Sequence, residues 1–181
     1  MAILLLVGGA RSGKSALAVS LARSSRRPVV FVATAEPRDE EMAERIRRHR
    51  AERPPDWHVT EEPVALRGTF EQADAGALIL LDCLSLWVAN MLERGAGADE
   101  IEAEASALAL LAAARPAPTV AVTNEVGLGV VPGSPLGRSY RDLLGRVNAI
   151  WAEHAADAAF VVAGRLLRLA RPDAVLPRLD D

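Results

Sequence analysis

Residues Gly8-Gly9-Ala10-Arg11-Ser12-Gly13-Lys14-Ser15 fit the pattern G-x-x-x-x-G-K-[ST]. The apolar run Ile-Leu-Leu-Leu-Val at 3–7 precedes them, and a helical stretch at 16–23 follows. A strand that delivers the loop and a helix that receives the phosphate form the context in which this pattern works. Glycines let the backbone curl until several N–H groups face one anion. The start of the helix adds the positive end of its dipole. On this reading Lys14 reaches the β- and γ-phosphates of a nucleotide, and Ser15 ligates Mg²⁺.

A chain of 181 residues, half of them hydrophobic, suits one α/β domain with a sizeable core. The net charge of −3 carries no basic excess, which argues against nucleic acid as a partner. A single cysteine, Cys83, excludes an intrachain disulfide and a cysteine-rich metal site. The short N-terminal apolar run leads straight into the glycine-rich loop, so it reads as a core strand and not as a signal peptide. No apolar run reaches the roughly 18 residues that a membrane span needs. These features point to a cytoplasmic enzyme or a nucleotide-binding module.

Apolar runs of strand length recur at 3–7, 29–33, 77–81, 119–123 and 159–163. They are continuous and not alternating, as expected of strands covered on both faces. Helical patterns at 15–24, 39–53, 85–94, 99–114 and 139–155 separate most of them. The alternation predicts an α/β fold, a mainly parallel sheet flanked by helices. Gly164-Arg165 fits a two-residue hairpin turn that would add an antiparallel strand at the C-terminal edge. One domain over 1–170 and a tail over 171–181 follow from this reading.

Three further segments carry chemistry. Leu78-Ile79-Leu80-Leu81-Asp82 puts an acid at a strand's C-terminal end, beside the first loop, where it can hold Mg²⁺ directly or through water. Val122-Thr123-Asn124-Glu125 ends another strand, so Asn124 and Glu125 are placed to meet substrate or metal-bound water. Ala33-Thr34-Ala35 ends a third on the same rim. In the helix that opens at Asp39, Met42, Ile46 and His49 share a face, with Arg45, Arg48, Arg50 and Arg53 nearby. Two readings stand on pattern alone. Acids at the start and bases at the end suit a surface helix, with His49 a satisfied packing residue. Alternatively, surrounding cations disfavour further positive charge on the imidazole, which suits a nucleophile towards phosphorus.

Taken together, the glycine-rich loop, Ala33-Thr34-Ala35, the Asp-Glu-Glu-Met-Ala-x-Arg-Ile-x-x-His helix, Arg53-Pro54 with Trp57 and Glu61, Thr123-Asn124-Glu125-Val126-Gly127-x-Gly-x-Val-Pro and Gly145-Arg146-Val147-Asn148 resemble a known family in order along the chain. It is the bifunctional adenosylcobinamide kinase/adenosylcobinamide-phosphate guanylyltransferase family of cobalamin biosynthesis. The resemblance covers about residues 3–169. It implies a RecA-like P-loop NTPase fold, a homotrimer, ATP and GTP as substrates and a corrinoid as acceptor. It further implies that His49 carries GMP as a covalent intermediate. The nucleotide-binding positions it implies are Gly8, Gly9, Ala10, Arg11, Ser12, Gly13, Lys14, Ser15, Ala33, Thr34, Ala35, Arg50, Ala51, Glu52, Arg53, Glu61 and Asp82. Where some relatives carry two adjacent histidines, this chain has Arg48 before His49. A single-activity small-molecule kinase and a non-catalytic RecA-like nucleotide switch are the competing functions.

Overall fold

Strands that are apolar on both faces have to be covered on both faces, and the chain achieves this with three layers. A computed structural model describes residues 3–51 and 53–175. Its elements run β1 (Ile3–Gly8), α1 (Lys14–Ser24), β2 (Val29–Ala33), α2 (Glu40–Ala51), β3 (His58–Glu61), α3 (Leu66–Gln72) and β4 (Leu78–Asp82). Then follow α4 (Leu84–Glu93), α5 (Ala98–Ala114), β5 (Thr119–Asn124), α6 (Pro135–His154), β6 (Ala155–Val162), β7 (Arg165–Leu169) and α7 (Pro172–Val175). The strands form one sheet in the order β3-β2-β4-β5-β1-β6-β7. Every pairing is parallel except β6 with β7.

The two sheet faces build two cores. Leu5, Val7, Val32, Ile79 and Leu81 pack beneath α3, α4, α5 and α6, with Trp87 and Trp151 fully enclosed. Leu6, Phe31, Leu80 and Val122 face the other way, onto Ala18 and Ala22 of α1. Helix α2, in contrast, has no buried residue. It is held near the carboxyl ends of β2 and β4 by its half-buried face and by its two ends.

Parallel strands bring their carboxyl ends to one rim. Gly8, Ala33, Asp82 and Asn124 therefore end β1, β2, β4 and β5 on the same side. Strand β5 lies between β1 and β4, so one strand separates the glycine-rich loop from Asp82.

The five apolar runs are all strands, and the C-terminal hairpin is antiparallel as expected. Its two-residue turn is Ala163-Gly164, one residue earlier than the sequence suggested, with φ of 50° and 72°. Positive φ at both turn residues is what the twist of a two-residue hairpin demands. Helix α6 begins at Pro135 and not at 139, because Ser134 caps it through the Gly137 amide and proline suits its first turn. It ends at His154, and β6 takes residues from Ala155 onward. Pairing with β1 overrides the helical preference of the alanine-rich stretch there. The segment read as a tail from 171 opens with the four-residue α7, and residues 176–181 lie outside those described.

Two elements have no counterpart in the sequence reading, β3 and α3. Strand β3 is a four-residue edge strand, His-Val-Thr-Glu, largely exposed, so no apolar run announces it. Helix α3 spans only seven residues and buries just Leu66 and Phe70.

The glycines of the loop have different work. A Cβ on Gly8 would overlap the carbonyl oxygen of Val161 in β6. Gly13 sits at φ 98°, and its Cβ would lie 3.3 Å from the Cα of Gly164 in the hairpin turn. A Cβ on Gly9 would meet nothing within 4 Å. Gly8→Ala should therefore destabilise the fold by about 1–3 kcal/mol, a cost typical of overpacking, and Gly9→Ala by less than about 1 kcal/mol. Thermal melts of the two variants check this; equal melting temperatures contradict the close approach of β6.

Candidate active site

The loop between β1 and α1 closes on itself. The Ser12 amide donates to the Gly9 carbonyl at 3.3 Å, and Ser12 O accepts from the Gly164 amide at 2.9 Å. The Glu125 amide donates to Gly8 O at 3.1 Å, so the end of β5 and the β6–β7 turn brace the loop from two sides. Lys14 is only 6 % exposed. Its ammonium donates to Gly9 O at 2.7 Å and lies 3.4 Å from Ser12 Oγ. Burial pushes the Lys14 ammonium below its usual range, opposed by the Asp82 carboxylate on the facing strand end.

Ser15 Oγ donates to Asp82 Oδ1 at 3.2 Å. Burial raises the Asp82 carboxyl above the usual carboxylate range. His49, the Ser15 hydroxyl, Arg53 and Arg45 oppose that shift in decreasing order. A hydroxyl and a carboxylate side by side, with the charge of the carboxylate under-solvated, make a donor pair suited to a divalent cation. Among the described residues no group of three or more His, Cys, Asp or Glu side chains forms a ready metal cage.

Across from Asp82, α2 contributes Met42, Arg45, Ile46 and His49 to a small cavity of about 40 Å³, shared with Ala33, Ala35 and Arg53. Thus the face predicted from the i, i+4, i+7 spacing is the face that meets the strand ends. Asp39 caps the helix through the Met42 amide, at 2.7 Å, as its position suggested. The arginine surroundings of His49 include two carboxylates, Asp82 and Glu61, that helix spacing alone could not reveal. Arg50 pairs with Glu61. Arg53 lies over the Phe31 ring, 3.9 Å from its centroid, and Phe31 stacks against Trp57. The Arg53 Nε and Nη1 atoms are buried without a hydrogen-bond partner in the protein. Burial also lowers the Arg53 guanidinium below its usual range, against the pull of Asp82 and Glu61. Two shielded N–H groups on an aromatic shelf, beside His49, are suited to an anion.

Not every predicted position turns inward to this cavity. Thr34 is fully buried; its hydroxyl donates to Cys83 O and accepts from the Cys83 amide, both at 2.8 Å. Its side chain therefore holds the end of β4, and its backbone is engaged as well: the amide donates to Asp82 O at 3.1 Å and the carbonyl accepts from Asn90 at 2.8 Å. Ala10, Arg11 and Ala51 are exposed, and Glu52 lies outside the described residues. Asn124 and Glu125 border Gly8 rather than the His49 cavity. Asn148 of α6 sets Asn124 by donating to its carbonyl at 3.0 Å and accepting from the Thr123 hydroxyl at 2.7 Å. The Glu125 carboxylate accepts from the Gly127 amide.

A glycine-rich loop, a strand-end acid beside its serine and a facing helix that carries a histidine among arginines are features with known relatives. The family model described as cobinamide kinase / cobinamide phosphate guanyltransferase matches residues 4–169. The chain belongs to this family. It is thus a bifunctional transferase, a cobinamide kinase and cobinamide phosphate guanylyltransferase. It is 44% identical over 166 residues to the bifunctional adenosylcobalamin biosynthesis protein CobP of Pseudomonas aeruginosa, covering 88% of this chain and 92% of that one. To the bifunctional adenosylcobalamin biosynthesis protein CobU of Escherichia coli it is 38% identical over 175 residues, covering 90% and 96%. The corresponding CobU of Salmonella typhimurium is 38% identical over 176 residues.

Among solved structures, a prototypical ATPase from the type III secretion system of pathogenic bacteria superposes with a TM-score of 0.55 at 12% identity. The match covers 96% of this chain and 57% of the ATPase. The RadB recombinase gives a TM-score of 0.50 at 13% identity over 88% of this chain and 73% of its own. These likenesses establish the RecA-like P-loop fold of the family member.

Proposed function

We propose that one site, formed by the glycine-rich loop, Asp82 and the His49 face of α2, performs both reactions of the family. In the kinase step the hydroxyl of adenosylcobinamide attacks the γ-phosphorus of an NTP, loses its proton and displaces the nucleoside diphosphate. In the transferase step a neutral His49 nitrogen attacks the α-phosphorus of GTP. A P–N bond forms as the bond to the β-phosphate oxygen breaks, and pyrophosphate leaves. An oxygen of adenosylcobinamide phosphate then attacks the same phosphorus, the P–N bond breaks, and His49 is regenerated with adenosylcobinamide-GDP as product. The covalent detour has a physical reason. Direct attack by a corrinoid phosphate on GTP brings two anions together, whereas an imidazole approaches without that repulsion.

The observation that carries this reading is the meeting of His49, Arg53 and Asp82 around one cavity beside the loop that holds Lys14 and Ser15. Lys14 binds the β- and γ-phosphates and matches charge that develops on them. The unpartnered N–H groups of Arg53 are suited to the phosphate that His49 attacks. Ser15 and Asp82 would hold Mg²⁺, which when bound neutralises charge on the phosphate oxygens.

The corrinoid is proposed to approach over the segment after Glu125, where Leu128, Val130 and Val131 are exposed beside the loop and offer an apolar face. The exposed Leu166, Leu167 and Leu169 of β7, the edge strand of the sheet among the described residues, support self-association, which the family resemblance gives as a homotrimer. Among the described residues no helix is long and apolar enough to cross a membrane.

Incubation with α-labelled GTP tests the reading against a plain kinase and a nucleotide switch. Label should stay on the protein in the absence of corrinoid and leave it when adenosylcobinamide phosphate is added. A plain kinase or a switch retains none. Asp82→Asn should lower both activities on the order of 100-fold at fixed Mg²⁺, with partial recovery at high Mg²⁺. The change keeps the volume of the side chain, so the melting temperature should hold. An unchanged Mg²⁺ titration makes Asp82 a strand-end acid without a metal.

A further inference from the structure

The segment 34–39 that leads from β2 into α2 is tied to the C-terminal turn of α4. Glu36 accepts from both guanidinium nitrogens of Arg94, at 2.8 Å and 3.2 Å. Arg38 donates to Glu36 at 3.2 Å and to Asn90 Oδ1 at 2.5 Å, and also pairs with Glu93. Asn90, only 2 % exposed, donates to the Thr34 carbonyl at 2.8 Å and to the Pro63 carbonyl at 3.0 Å. The lead-in to α2 is thereby held at both its beginning and its middle, one turn before the Asp39 cap.

This matters because α2 has no buried residue to seat it. A helix that lies on a protein with only a half-buried stripe takes its position from its ends. The N-terminal end is the one that α4 grips. We infer that Glu36, Arg38 and Arg94, organised by Asn90, are positioning residues that set the reach of His49 towards the α-phosphorus. The inference rests on the reading of His49 given above. Glu36, Arg38 and Arg94 pair with one another, Asn90 and Glu93 and not with Lys14, Ser15 or Asp82; only Thr34, at the start of the segment, reaches Asp82, through its backbone amide, so loss of Glu36 or Arg94 leaves the kinase step in place. A misplacement of about 1 Å in a nucleophile can lower a rate on the order of 100-fold. An exposed ion pair, by contrast, adds little to stability.

The test compares Glu36→Ala, Arg94→Ala and their double variant with the wild type in three measurements: labelling of the enzyme by α-labelled GTP, phosphorylation of adenosylcobinamide, and melting temperature. Glu104→Ala, which removes an exposed carboxylate paired with Arg67 elsewhere on the surface, serves as the control. The expected result is labelling slowed about ten- to a hundredfold in Glu36→Ala and Arg94→Ala, with no further loss in the double variant. Kinase kcat and KM, and the melting temperature, stay at wild-type values, and the control changes nothing. Labelling at the wild-type rate in Glu36→Ala overturns the strap, as does an equal fall in both activities accompanied by a lower melting temperature, which marks a structural role only. Failure of the wild type itself to take label at His49 overturns the functional reading, and the strap with it, so the two failures are told apart by the first measurement.

Discussion

His49→Asn should abolish GMP transfer and leave phosphorylation of adenosylcobinamide largely intact. The asparagine amide is no nucleophile, so the transferase loses its covalent route altogether, a fall on the order of 10⁴-fold or more. The kinase step needs positioning and charge stabilisation, which Lys14, Ser15 and Asp82 supply without an imidazole. Stability offers no escape from this prediction. His49 is half-buried on a helix without any buried residue, and such substitutions usually stay within about 0.5 kcal/mol. Separate assays of the two reactions, beside a thermal melt, check the result. If both activities fall together with the melting temperature, His49 is a packing residue, the bland alternative that its spacing on the helix left open.

Lys14→Ala should impair both reactions by about 10²–10³-fold, or roughly 3–4 kcal/mol of transition-state stabilisation, as for the loss of one well-placed donor to developing charge. The fold should tolerate the change. Lys14 is nearly enclosed, and burial already works against its charge, so its removal relieves desolvation, while Gly9 O keeps the Ser12 amide as a donor. The expected pattern is a retained or slightly raised melting temperature with nucleotide turnover lost in kinase and transferase assays alike. Wild-type turnover in this variant contradicts the role of the loop.

The readable parts of this molecule are those where one local pattern decides the outcome. Continuous apolar runs made the parallel strands legible, since a strand covered on both faces has no polar side to interrupt it. The loop from Gly8 to Ser15 announced itself because its chemistry is carried by consecutive residues. The Met42, Ile46, His49 face was legible from helical spacing, and it is the face that lines the cavity. Strand β3 was not, because an exposed edge strand reading His-Val-Thr-Glu carries neither a run nor an alternation.

What remained hidden at the site depends on residues far apart in the chain. Asp82 and Glu61 reach the His49 cavity only when β3 and β4 flank β2. The shelf under Arg53 is Phe31, one strand away, in a run that otherwise reads as core. Thr34 stood among the nucleotide-binding positions by resemblance, yet its hydroxyl is engaged by Cys83, 49 residues on. The clamp from Asn90 to Thr34, Pro63 and Arg38 gave no sign at all, as a buried asparagine in an apolar helix declares its partners only in three dimensions.

The central claim is that one histidine on α2 carries the nucleotidyl group between GTP and the corrinoid phosphate. Mass spectrometry of enzyme treated with GTP and Mg²⁺, without corrinoid, tests it most directly. The account predicts a single GMP on the peptide that contains His49, lost in acid and stable in base, as a phosphorus–nitrogen bond behaves, and discharged by adenosylcobinamide phosphate. A GMP on any other residue, or an unmodified enzyme that still turns over, contradicts it.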